Sequence, residues 1–172
     1  MPDRPCNVLF LCTHNSARSV MAEALLNTLG RGRFHAFSAG SMPSGRVNPF
    51  AVEMAQSIGY PTENIRSKSW DEFAAGQSGI DTPVMDIVIT VCDNAAAETC
   101  PVWAAPRGAP PVNVHWGFPD PSETIGTDQE KRDAFARIFR AIRADIGRLV
   151  ELPLETLDRA ALVRELHRIH AS

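Results

Sequence analysis

Two kinds of apolar run alternate along the chain. Val8-Leu-Phe-Leu11 and the stretch holding Ile87, Val88, Ile89 and Val91 are almost continuously apolar. That is the pattern of strands covered on both faces of a parallel sheet. With two weaker runs they predict strands over about 7–12, 34–39, 85–92 and 111–116. Between them the period lengthens to that of a helix. A first helix over about 18–29 puts Met21, Leu25 and Leu29 on one stripe and stops at Gly30. A second is marked by Asn48 as cap, Pro49 in the first turn and Gly59 past its end. Ser69 with Glu72 reads as a capping box opening a short third helix. Thr127 with Glu130 opens the longest, whose stripe is Phe135, Ile138, Phe139, Ile142, Ile146 and Leu149. A last amphipathic piece, about 158–169, carries Leu162, Leu166 and Ile169.

The order β-α-β-α-α-β-β-α, followed by one more helix, predicts an α/β fold: a doubly wound four-stranded parallel sheet with helices on both faces. A chain of 172 residues reads most simply as one domain. Its core is expected over 7–150, with 151–172 as a C-terminal helical extension that could pack on the domain or form a dimer contact. In such sheets ligands sit beyond the carboxyl ends of the strands. The first strand run ends at Cys12 and the third at Cys92, so two thiols are expected at one sheet edge.

A net charge of −3 supplies no basic field for nucleic acid or an anionic membrane surface. No apolar run is long enough to span a bilayer, and Met1-Pro-Asp-Arg-Pro5 carries no signal-peptide pattern. A cytoplasmic protein is therefore expected. The four cysteines are Cys6, Cys12, Cys92 and Cys100. Their spacing contains no Cys-x2-Cys pair and no paired Cys/His arrangement, which argues against structural zinc and for reactive thiols.

Cys12-Thr-His-Asn-Ser-Ala-Arg18 holds the candidate chemistry. A polar loop between a strand and a helix N-terminus is a ready site for a tetrahedral oxyanion. The backbone N–H groups of Thr13, His14, Asn15, Ser16 and Ala17 can converge on the anion, and Arg18 offers a planar fork to two of its oxygens. Cys12 is placed for in-line attack, expected as a thiolate in the same field. Ser19 is positioned to donate its hydroxyl to the Cys12 sulfur, while the His14 side chain is expected to face solvent. The bland alternative is a buried cysteine at a strand end. Further on, Asp120 lies between Pro119 and Pro121 on a loop at the same edge, suited to a general acid or to a plain Asx turn.

The stretch Val8-Leu-Phe-Leu-Cys-Thr-His-Asn-Ser-Ala-Arg-Ser-Val-Met-Ala-Glu23 resembles the signature of the low-molecular-weight tyrosine phosphatase superfamily. More narrowly it resembles the thioredoxin-coupled arsenate reductases of that fold, over about 7–150. The resemblance implies Cys12 as nucleophile, Arg18 as oxyanion ligand and Asp120 as the Asp-Pro acid. Converting arsenate to arsenite takes two electrons, which two thiols supply on becoming a disulfide. The implied relay runs from Cys12 to Cys92 to Cys100, with no bound cofactor and thioredoxin as external reductant. Residues 93–99 are small and polar, as a segment that must loop out would be. Cys6 has no part in the relay.

Some of these reductases hold a potassium ion through Asn, Glu, Ser and Asp side chains. Asn15, Glu23 and Ser38 match by position, but Ser69, preceded by Lys68, stands where the aspartate would fall. The Lys68 ammonium can replace the ion or be a plain solvated charge, two readings that stay open, and no metal is predicted. Ala17 stands where tyrosine phosphatases often have a second cysteine, and residues 41–47 hold no aromatic wall for phosphotyrosine. Two other readings remain open: a phosphatase acting on phosphotyrosine or small phosphate esters, and a non-catalytic oxyanion sensor.

Overall fold

The computed structural model describes residues 4–74, 83–92, 103 and 110–171. Four parallel strands form one sheet in the order β2-β1-β3-β4: β1 (Cys6–Leu11), β2 (Phe34–Ala39), β3 (Ile87–Thr90) and β4 (Val112–His115). The register pairs Leu11 with Ala39 on one side and with Thr90 on the other. Strand order reverses between β1 and β3, the switch point at which an open parallel sheet leaves a crevice above its carboxyl ends. β3 is shorter than the expected 85–92, since Val91 and Cys92 have already left the ladder.

Val8 to Leu11 and Ile87 to Ile89 are buried at every position, so both faces of the sheet are covered, as their unbroken apolar runs require. On one side Phe37 packs against Phe73, and Trp70 meets Trp103 edge-on. The helices pack on one another elsewhere: α1 (Arg18–Leu29) against α3 (Asp128–Val150), and α2 (Pro49–Ser57) against both. α1 is buried from Ser19 through Leu26 rather than along one stripe, because it lies between the sheet and α3. α3 buries all six residues of its predicted stripe.

The capping signals have mixed outcomes. Thr127 and Glu130 form both bonds of their box, Glu130 N–H donating to Thr127 Oγ1 at 3.1 Å and Thr127 N–H to Glu130 Oε1 at 3.2 Å. Asn48 Oδ1 accepts from Phe50 N–H, and Gly59 takes φ +80° past the end of α2. The box expected at Ser69 and Glu72 does not form a helix. Ser69 Oγ accepts from Asp71 N–H over a single 3-10 turn, Trp70–Phe73, while Glu72 is drawn to Arg66 instead. A local rule loses there to an ion pair that the fold brings together.

The last helix, α4 (Arg159–Ala171), lies on the domain. Leu166 and Ile169 join the central core, and Trp116 Nε1–H donates to the Leu166 carbonyl at 2.9 Å. No helix among the described residues is long and apolar enough to cross a membrane. Cys100, residues 93–99 and most of the loop expected over 101–111 lie outside the described residues. Because Leu166 is fully buried, Leu166→Ala is expected to destabilise the whole domain by about 2–5 kcal/mol in urea unfolding. A change of a few tenths would show that α4 is merely appended.

Candidate active site

The loop after β1 turns its carbonyls outward. Thr13 O accepts from Met42 N–H at 2.9 Å, His14 O from Ser44 N–H at 3.1 Å and Ser67 Oγ at 3.0 Å, and Ser16 O from Asn48 N–H at 2.8 Å. Among the described residues, the N–H groups of Asn15, Ser16, Ala17 and Arg18 have no acceptor. Consecutive free donors at a helix N-terminus are what a tetrahedral oxyanion satisfies.

Two residues hold the loop in this inverted form. Asn15 is fully buried with φ 47°, a left-handed conformation that asparagine tolerates better than most residues. Its amide donates to Ser19 Oγ at 2.8 Å and its carbonyl oxygen accepts from Lys68 N–H at 2.9 Å. Gly40, just past β2, lies flat beneath the loop: a Cβ there would stand 2.4 Å from Thr13 O and 2.5 Å from Cys12 O. The sequence reading missed Gly40, although a lone glycine after a strand signals close backbone approach.

Lys68 sits on the segment pinned to Gly40 by Gly40 N–H to Lys68 O and Trp70 N–H to Gly40 O. Its ammonium lies 3.7 Å from Glu23 Oε1 and donates to Arg66 O at 3.1 Å and Ser38 Oγ at 3.5 Å. Ser38 Oγ and Tyr60 Oη donate to the two Glu23 oxygens. Burial pushes the Glu23 pKa up and the Lys68 pKa down, and each charge opposes the shift of the other. A potassium ion would meet this ammonium at the same oxygens, so the residues present do not fit one.

Cys12 and Cys92 come together at the switch point. Both are buried thiols, and Cys92 Sγ accepts from Thr13 N–H at 3.4 Å with Thr13 Oγ1 3.7 Å away. The expected Cys12 thiolate is not what this arrangement favours. Contact with the Cys92 thiol and burial push the Cys12 pKa up, against the lowering by Arg18 and by the His14 backbone N–H. No bond joins Ser19 to Cys12; the Asn15 amide occupies an acceptor lobe of Ser19 Oγ. The His14 side chain is exposed, its Nδ1 3.2 Å from Met42 O. Cys6 lies at the far end of β1, its thiol pushed up to about 12 chiefly by burial.

Arg18 and Asp120 face each other across the loop. Arg18 Nη1 donates to Phe118 O at 2.8 Å, Nη2 lies 3.5 Å from Asp120 Oδ2, and the buried Nε has no partner among the described residues. The guanidinium thus keeps its Nε–H for an anion while the acid loop steadies its far end. Asp120 forms the Asx turn with one oxygen and turns the other to Arg18. Oδ1 accepts from Ser122 N–H and Oγ, and Oδ2 faces the guanidinium. The Phe118 carbonyl carries no signal in the sequence, because its role depends on backbone placement alone.

An α/β sheet bearing a thiol, a backbone oxyanion cradle and an Arg–Asp pair at its switch point defines a cysteine-based oxyanion-processing protein. A family model of the low molecular weight phosphotyrosine protein phosphatases matches residues 7–163, and the chain belongs to that family. It is 36% identical over 149 residues to the arsenate reductase of Halalkalibacterium halodurans, spanning 87% of this chain and 95% of that one. The Bacillus subtilis arsenate reductase is 33% identical over 151 residues, with 87% and 95% covered. Among solved structures, the arsenate reductase of Archaeoglobus fulgidus superposes with a TM-score of 0.56 at 26% identity, over 84% of this chain and 99% of that one.

Since the Gly40 contacts leave no room for a methyl group, Gly40→Ala is expected to weaken phosphate or arsenate binding at least about tenfold by calorimetry, as small misplacements of such loops do. Unchanged affinity would remove Gly40 from the architecture of the cradle. Cys92→Ala removes the largest upward influence on Cys12. Iodoacetamide alkylation of Cys12, followed by mass spectrometry against pH, is expected to show a lower pKa and faster reaction at neutral pH. An unchanged or raised pKa would refute the coupling.

Proposed function

We propose that the protein is an arsenate reductase working through an intramolecular thiol relay, with thioredoxin as reductant. The observation that carries this reading is the second thiol at the mouth of the cradle, with Cys92 Sγ 3.4 Å from the backbone nitrogen next to Cys12. Ester hydrolysis needs one nucleophile, an acid and water. A buried second thiol in contact with the first adds two-electron chemistry.

Arsenate lies on the N–H groups of Asn15 to Arg18 with the Arg18 Nε–H at its flank. Cys12 sulfur bonds to arsenic as its proton passes to Asp120, and Asp120 hands a proton on to the arsenate hydroxyl, which leaves as water. Cys92 sulfur then attacks Cys12 sulfur. The S–S bond forms, the As–S bond breaks with its electron pair staying on arsenic, and arsenite departs. Cys100 next attacks Cys92, freeing Cys12 and leaving a Cys92–Cys100 disulfide for a small dithiol protein to reduce. The role of Cys100 rests on this exchange chemistry, on its place eight residues after Cys92 in the sequence, and on the family resemblance. Phosphate and arsenate share charge and shape, so slow phosphate-ester hydrolysis is expected beside the main reaction.

The test couples arsenate to NADPH oxidation through thioredoxin and its reductase. Wild type is expected to turn over continuously and Cys12→Ser not at all. Cys92→Ser is expected to stop before arsenite release. Cys100→Ser is expected to release one equivalent of arsenite and then stall at the Cys12–Cys92 disulfide. Full turnover in Cys92→Ser or Cys100→Ser would sink the relay. Rapid ester hydrolysis with no arsenate turnover would return the protein to the phosphatases.

A further inference from the structure

The C-terminal helix reaches the acid loop through one side chain. His170 Nε2–H donates to the Gly117 carbonyl at 3.0 Å, and His170 Nδ1 lies at hydrogen-bond distance, 2.7 Å, from Asp145 Oδ2 of α3. Its ring stacks 6.3 Å from Trp116 and meets Phe118 edge-on at 5.0 Å. Asp145 is itself held by Arg148, whose Nη1 donates to Asp145 Oδ1 and to the Ile169 carbonyl. A charged pair on α3 thereby anchors the imidazole from behind.

The grip falls on one particular peptide. The Gly117 C=O and the Phe118 N–H belong to the same planar unit. His170 holds its oxygen, while the Phe118 N–H donates to Val91 O at 3.1 Å, next to Cys92. With both ends fixed, the plane cannot rotate, and the next carbonyl in the chain, Phe118 O, is aimed at Arg18 Nη1. Asp120 follows two residues later, its Oδ2 facing the same guanidinium.

We propose that His170 is a positioning residue for the reaction: through the Gly117–Phe118 peptide it sets both the acid Asp120 and the guanidinium of Arg18. The proposal rests on the reading of Asp120 as the proton donor. It assigns the C-terminal helix a part in the chemistry, and His170 lies beyond residues 7–163 matched by the family model.

The experiment mixes the reduced full-length protein with saturating arsenate, without thioredoxin, and follows loss of free thiols by rapid quench. His170→Phe keeps ring packing against Trp116 and Phe118 but removes both hydrogen bonds. It is expected to slow thiol loss about tenfold, a fraction of the roughly 10²–10⁴-fold that a general acid supplies. Combined with Asp120→Asn it is expected to cost clearly less than the roughly tenfold it costs alone, because the part of its effect that passes through Asp120 is already gone and only the part through Arg18 remains. A simple loss of stability would not produce that non-additivity. A wild-type rate in folded His170→Phe, or full additivity with Asp120→Asn, overturns the proposal.

His170→Gln can still donate to Gly117 O without bridging to Asp145, so its rate is expected between wild type and the Phe variant. Should His170→Phe fail to fold, the Gln variant carries the test, and a wild-type rate in it overturns the proposal. Asp120→Asn at the wild-type rate would instead defeat the acid reading itself, which keeps the two failures apart.

Discussion

Everything at this site depends on a backbone turned inside out. Between β1 and α1 the carbonyls of Thr13, His14 and Ser16 point away, each occupied by a donor from residues 42–67, and the N–H groups of Asn15 to Arg18 have no acceptor among the described residues. That arrangement concentrates positive potential at a helix N-terminus without placing a charged side chain in the cradle. Holding it requires one residue in the left-handed region, Asn15, and one with no side chain, Gly40, on which the loop rests. The ammonium of Lys68, buried against Glu23, stabilises the same corner from below.

The cradle alone binds; what it does next is set by β3. Because β1 and β3 are neighbours in the sheet, the residues leaving their carboxyl ends are neighbours too, and Cys92 arrives beside Cys12. Proximity has an electrostatic consequence. The Cys12 thiol, buried and in contact with Cys92, is held toward its protonated form. Arg18 and the His14 N–H supply the opposing pull. An ester-cleaving site would have little use for this neighbour, whereas a site that must deliver two electrons needs it close.

The acid side is assembled from still more distant parts of the chain. Asp120 splits its oxygens between a local turn and Arg18, and the loop that carries it is tied at Trp116 and Phe118 to the end of β3. α4 then closes over it, so the helix that looks peripheral in the sequence shares a hydrogen-bonded framework with the Asp120 loop.

Much of this was legible in the residues alone. The unbroken apolar runs at Val8–Leu11 and Ile87–Ile89 determined buried parallel strands, and Thr127 with Glu130 determined where the longest helix starts, because these signals act between residues close in sequence. The Cys12–Arg18 loop was legible for the same reason. Where the sequence misled, a longer-range partner intervened: Glu72 left its cap for Arg66, and Cys92 reversed the expected ease of Cys12 ionisation. Gly40 under the loop, Lys68 N–H on Asn15 and His170 on Gly117 join residues far apart in the chain. Those contacts exist only once the sheet has chosen its strand order. The sequence by itself determined which groups bring the chemistry; the tertiary structure decided which of them touch.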